Sequence, residues 1–107
     1  MTTVRIYQTS DKKSPFSDWL VALPSEQSLR VDEALIRMEI GNFGDHKSVG
    51  SGVMERRIFS SPALRVYYAM DGKELVILLA GGTKQNQDRD IERAKSYWTD
   101  YKSRKGR

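Results

Sequence analysis

The sequence predicts one α+β domain: a small twisted antiparallel sheet of about four strands with an N-terminal helical hairpin and a C-terminal helix, in the order β-α-α-β-β-β-α. Three observations predict it. Apolar residues recur at helical spacing before Gly41, switch to short β-type runs after Gly52, and return to helical spacing from Ile91. At 107 residues without a cysteine, the chain is long enough for one hydrophobic core and offers no disulfide or cysteine zinc framework.

Each element has a local cause. Thr2 to Gln8, with Val4 and Ile6 alternating around Arg5, reads as a short strand. Ser14-Pro15 starts a helix, serine as the cap and proline at the first helical position. Phe16, Trp19, Leu20 and Leu23 then form one apolar stripe. After Pro24-Ser25 a longer helix spans Glu26 to Ile40, with Val31, Ala34, Leu35 and Met38 inward and Gly41-Asn42 as its stop. Two helices joined so tightly form a hairpin. The runs 53–59, 64–70 and 74–80 are separated by Ser60-Ser61-Pro62-Ala63 and Asp71-Gly72-Lys73, which predicts an antiparallel meander. Leu75 to Ala80 is apolar throughout, as in a central strand covered on both faces. Gly81-Gly82-Thr83 breaks that strand, and Ile91, Ala94, Trp98 and Tyr101 line the last helix.

The net charge of +4 equals the charge of residues 102–107, which carry Lys102, Arg104, Lys105, Arg107 and no acid. The domain therefore reads as residues 1–101, followed by a basic, disordered tail at 102–107. A second basic patch lies at 47–70, where Lys47, Arg56, Arg57 and Arg65 face only Glu55. No signal peptide is evident, and Leu75 to Ala80 is too short an apolar run to cross a bilayer, so a cytoplasmic protein with no membrane partner is expected.

A turn centred on Ser61 sets Arg57 opposite Arg65 on one sheet face, together with Glu55 and Tyr67. Ile58, Leu64, Val66 and Tyr68 then take the other face. Like charges opposed across strands repel slightly, so the pair invites an anion between them, and a phosphate suits two arginines. Lys84 follows the glycines, where a helix N-terminus adds backbone amides. The plainer reading is that these arginines pair with acids on a solvated face. His46, the sole histidine, lies in a Gly-Asn-Phe-Gly-Asp-His-Lys loop and excludes a multi-histidine metal site. Trp19 and Trp98 sit on apolar stripes and read as core.

Five segments then occur in one order: Phe16-Ser17-Asp18-Trp19-Leu20, Gly41-Asn42-Phe43-Gly44-Asp45, Gly52-Val53-Met54-Glu55-Arg56-Arg57-Ile58, Arg65-Val66-Tyr67-Tyr68, and Gly81-Gly82-Thr83-Lys84-Gln85-Asn86-Gln87-Asp88-Arg89-Asp90-Ile91. From about Tyr7 to Trp98 the chain resembles the HigB-like branch of the RelE/ParE toxins of bacterial type II toxin–antitoxin systems. The resemblance implies a RelE-like fold, a cognate antitoxin (a small helix-turn-helix protein), and ribosome-dependent cleavage of mRNA without a cofactor or metal. It also implies that Arg65 holds the scissile phosphate, that Arg57 is the basic residue of the neighbouring strand, and that Lys84 is the basic position after the last strand. Tyr67, Asp90 and His46 are then acid–base or substrate-contact candidates, with Asp90 expected to be held acidic by nearby arginines. Lys47, Arg56, Lys102, Arg104 and Lys105 are candidate RNA contacts. ParE-type inhibition of DNA gyrase, or a repurposed nucleic-acid- or protein-binding module, are the alternatives. Arg56 stands where the family's Glu-x-Arg motif is usually apolar, and Thr83 stands where an acid is common.

Overall fold

The computed structural model describes residues 1–105 as a five-stranded sheet between two helical layers. Strand β1 (Thr3–Ile6) is followed by helices α1 (Pro15–Val21) and α2 (Ser25–Glu39), strands β2 (His46–Gly50), β3 (Val53–Ile58), β4 (Leu64–Met70) and β5 (Leu75–Thr83), and helix α3 (Gln87–Lys105). The sheet order is β1-β5-β4-β3-β2, with β1 parallel to β5 and every other pairing antiparallel. The α+β class and the placing of the three helices match the sequence reading; the sheet differs by one added strand and by the parallel β1–β5 pairing, and the fold is compatible with a RelE-like one.

The strand added to the expected four is β2. It begins at His46 at the sheet edge and is mostly exposed, with Val49 its single apolar, half-buried side chain, so its pairing to β3 leaves no apolar alternation to read. Gly81 and Gly82 are also strand residues rather than a turn. A Cβ on Gly81 would lie 2.2 Å from the Trp19 ring, and one on Gly82 would lie 2.1 Å from Asp90 Oδ2. The glycines are therefore needed for close approach, not for flexibility. Ser14 precedes α1 as expected, but its side chain makes no capping hydrogen bond.

The two sheet faces bury separate cores. Phe16, Val31, Ala34 and Met38 from α1 and α2 cover Ile58, Leu64, Val66, Tyr68, Val76 and Leu78. Ala94 and Trp98 from α3 cover Val53, Tyr67, Ala69, Ile77, Leu79 and Ala80. A register shift between Tyr67 and Tyr68 leaves Leu79 unpaired, which places both Leu79 and Ala80 on the α3 side.

The disordered reading of residues 102–107 is corrected over 102–105, which form the last turn of α3; residues 106 and 107 lie outside the described residues. That turn is tied to the domain. Arg104 donates to Asp100 Oδ2 at 2.7 Å and to the Gln8 carbonyl at 2.5 Å, and Lys105 pairs with Asp71. Tyr101 also donates to Asp71, at 2.6 Å, and Lys102 sits 5.4 Å from the centre of the Trp98 ring. Asp100 and Trp98 belong to α3 itself, the Gln8 carbonyl and Asp71 to remote loops, and together they outweigh the mutual repulsion that a run of bases implies.

Candidate functional site

The short turn after β3 closes so that Arg57 pairs directly with Arg65, as its symmetry about Ser61 requires. Two cross-strand rows then lie on the α3 face. One runs Lys47, Glu55, Tyr67, Ala80; the next runs Arg57, Arg65, Gly82. Asp90, in the first turn of α3, closes over Gly82.

Arg65 is the centre of this arrangement. It is only 6 % exposed, yet its Nε and Nη1 groups have no hydrogen-bond partner. Its one ion pair, Nε to Glu55 Oε2, is 3.8 Å long. Glu55 is shared: Lys47 Nζ lies 3.8 Å from its Oε1, and Gln87 Nε2 donates to its Oε2 at 2.8 Å. One carboxylate thus serves two cations and an amide, leaving donor capacity on the arginine that an anion can take up.

Tyr67 is completely buried and its hydroxyl is unpartnered. Burial, reinforced by the negative charge of Glu55, pushes its pKa well above the ordinary phenol value, so it is a neutral donor at physiological pH. Asp90 corrects an expectation. Its pKa is raised, because burial outweighs the opposing charges of Arg89 and Arg93. A carboxyl shifted in this direction exchanges protons more readily near neutrality than an ordinary aspartate.

The remaining candidates divide by position. Arg57 is exposed and its Nε donates to Asp45 Oδ2 at 3.1 Å, so it flanks the site as a paired residue. Lys84 is exposed, opens the single 3-10 turn before α3, and forms no ion pair among the described residues. His46 and Arg56 pair with each other across β2 and β3 and share the opposite face from Arg65, which removes both from this site. The His46 ring bonds through Nδ1 to the Gly44 carbonyl at 2.8 Å and packs edge-on to Phe43. Arg56, expected as an RNA contact, is 6 % exposed beneath Gly44. Lys102, Arg104 and Lys105 hold the far end of α3, and the last two are engaged by Asp100 and Asp71.

Sequence reasoning missed Gln87 as a partner of Glu55, because the contact joins residues far apart in the chain and no local pattern announces it. It also missed the cavity of about 310 Å³ beside Gly82, lined by Trp19, Asp90, Arg93 and Tyr97, which opens where β1 ends and the edge of β5 is uncovered. Among the described residues no group of three or more His, Cys, Asp or Glu side chains is placed to hold a metal ion. No helix of the described residues is long and apolar enough to cross a membrane.

Residues 18–98 match the family described as Phage derived protein Gp49-like (DUF891). The chain is also 42 % identical over 81 residues to an uncharacterized protein of Haemophilus influenzae (strain Rd), a match covering 75 % of this chain and 82 % of that protein. The family match runs from within α1 to within α3, and so includes the arginine pair and the first turn of the helix that closes over it. The chain belongs to the Gp49-like phage-derived family, a family of toxin–antitoxin toxins of the RelE type.

Proposed function

We propose that this protein is a ribosome-dependent mRNA endonuclease, the toxin of a type II toxin–antitoxin pair of HigB-like character. The observation that carries the reading is Arg65: a buried guanidinium with free N–H groups, directly opposite a second arginine, on the sheet face beneath the first turn of α3. Strand cleavage needs the ribose 2′-hydroxyl to lose a proton and attack the adjacent phosphorus. The 5′-oxygen leaves and takes up a proton, giving a 2′,3′-cyclic phosphate and a free 5′-hydroxyl. Negative charge builds on the non-bridging oxygens in the transition state, and donors fixed beforehand stabilise it more than the ground state.

Arg65 is assigned to those oxygens, with Arg57 and Lys84 adding positive potential at the rim. Neutral Tyr67 is suited to donate a hydrogen bond or proton, and Asp90 to exchange one. Lys47 shares Glu55 with Arg65, each 3.8 Å from one of its oxygens, and adds a cation for the flanking backbone. The partner that silences the toxin is a cognate antitoxin, proposed to be a small helix-turn-helix protein encoded beside it.

Induced expression in a bacterium followed by primer-extension mapping tests the reading. Cuts within translated codons, absent when Arg65→Ala is expressed, are expected. Halted growth with intact transcripts would overturn it, and DNA damage under those conditions would point to gyrase. Co-expression of the neighbouring protein should restore growth.

A further inference from the structure

The double arginine of β3 splits across the sheet, and the half turned away from the candidate active site has no role in the chemistry proposed above. Arg56 is more than nine-tenths buried, its Nε has no partner, and its best hydrogen bond is a long one of 3.4 Å from Nη1 to the Asn42 carbonyl. It lines a cavity of about 350 Å³ between α2 and the end of β3, with Arg30, Arg37 and Arg57 against Glu33 and Asp45. Two of those arginines are already occupied: Arg30 lies 3.7 Å from Glu26, and Arg57 is bonded to Asp45. Arg37 and Arg56 form no ion pair among the described residues. Burial first, and then the like charge of Arg37, lowers the Arg56 pKa, with Asp45 opposing the shift. Two adjacent guanidinium groups, one of them desolvated, are the setting in which a single incoming anion gains most.

The surroundings decide which anion. Phe59 lines the same cavity and is 79 % exposed. On the adjoining face of α2, Leu29, Ile36 and Ile40 are exposed one above the other. Apolar surface at this spacing offers the backbone of a nucleic acid neither counter-charge nor hydrogen bonds and suits a polypeptide. Glu33 and Asp45 at the rim further disfavour a polyanion and leave room for one carboxylate. We propose that this notch is a carboxylate-binding site whose occupant is an acidic, apolar-flanked segment of a partner protein. It centres on Arg56 and Arg37, borders the Arg65 site only through Arg57, and does not depend on cleavage of RNA.

The test follows the arginine Nε–H signals of the full-length, ¹⁵N-labelled protein by NMR. The probes are a short peptide alternating leucine and glutamate, its twin with glutamine in place of glutamate, and inorganic phosphate. The acidic peptide is expected to shift the Arg56 and Arg37 signals saturably, and the glutamine twin and phosphate are not. Arg37→Gln, on a solvent-facing side of α2, keeps the fold and should weaken the acidic peptide about tenfold, as loss of one charge-assisted hydrogen bond implies. Arg65→Ala should leave it unchanged, which separates this site from the cleavage reading. The proposal is overturned if the acidic peptide shifts neither signal, if both peptides act alike, or if phosphate acts equally well and so marks a nucleic-acid contact.

Discussion

Asp90 stands so close over Gly82 that a methyl group on residue 82 would lie 2.1 Å from its Oδ2. Gly82→Ala must therefore push the Asp90 carboxyl out of its buried position. Because that carboxyl sits at the end of a side chain that can rotate, about 1–3 kcal/mol of stability should be lost, with cleavage activity falling further than folding. Gly81→Ala meets the Trp19 ring instead, at 2.2–2.4 Å, and a packed ring cannot turn aside. Thermal melts should rank Gly81→Ala as the less stable of the two, while the Gly82 variant is the more impaired in cleavage.

The raised pKa of Asp90 has a definite sign for stability. Folding favours its protonated form, so its contribution is fully present below the ordinary aspartate pKa and is lost as pH rises through the folded value. Asp90→Asn, which cannot ionise, should gain stability relative to the parent chain across that window. Paired denaturant titrations from pH 3 to pH 8 check this; an unchanged difference across the range would refute it.

Arg65 and Arg57 face each other but should not be equivalent. Arg65→Ala removes the buried donor and should cost about 10²–10³-fold in cleavage rate, the usual range for a preorganised donor to an oxyanion. Glu55 retains Lys47 and Gln87, so the fold should persist. Arg57→Ala, exposed and already bonded to Asp45, should cost less than tenfold. Cleavage assays with circular dichroism on the same preparations separate chemistry from folding.

Tyr67→Phe removes a buried hydroxyl that makes no well-formed hydrogen bond, only a looser contact with Glu55. Its loss should change stability by no more than about 1 kcal/mol, since only a weak contact is broken and a desolvated polar group disappears. Activity should fall if the phenol serves the substrate. Chemical denaturation and a cleavage assay measure the two effects independently.

Ending the chain at Tyr101 removes the contacts of Arg104 and Lys105 and should lower the thermal midpoint at pH 7. Lys105, then Tyr101, holds the Asp71 carboxyl below its ordinary pKa. The stability from this pairing is present above the ordinary carboxylate pKa and is lost as pH falls through the folded one. The gap between full-length and shortened chains should therefore narrow as pH falls below about 4, leaving the part due to the Arg104 bond to the Gln8 carbonyl. Melting curves at the two pH values test it.

How much of this was legible before the structure depended on how local each cause is. Arg57 opposite Arg65, with Tyr67 and Glu55 on their face, follows from one short turn and period-two alternation, and the structure repeats it. The buried stripes of the helices follow from i, i+3, i+4 spacing. β2 escaped because an edge strand of exposed polar residues has no hydrophobic signature. The last turn of α3 escaped because Asp71 and the Gln8 carbonyl, which hold it, are distant in sequence. For Asp90 the neighbouring arginines are visible in the sequence, but the burial that outweighs them is a property of the closed fold.

The register of β3 against β4 has one more consequence. Arg56 and Arg57 are chemically identical neighbours, and only the pairing fixed by the turn after Ile58 puts Arg56 on the α2 face of β3 and Arg57 on the face of Arg65, from which its guanidinium reaches Asp45. A slip of one residue would exchange them, and would at the same time turn Ile58 out of its core. The hydrophobic packing of one layer thus acts as proofreading for the polar layer behind it: a chain that has buried Ile58 and Val66 correctly has already chosen which arginine stands beside Arg65.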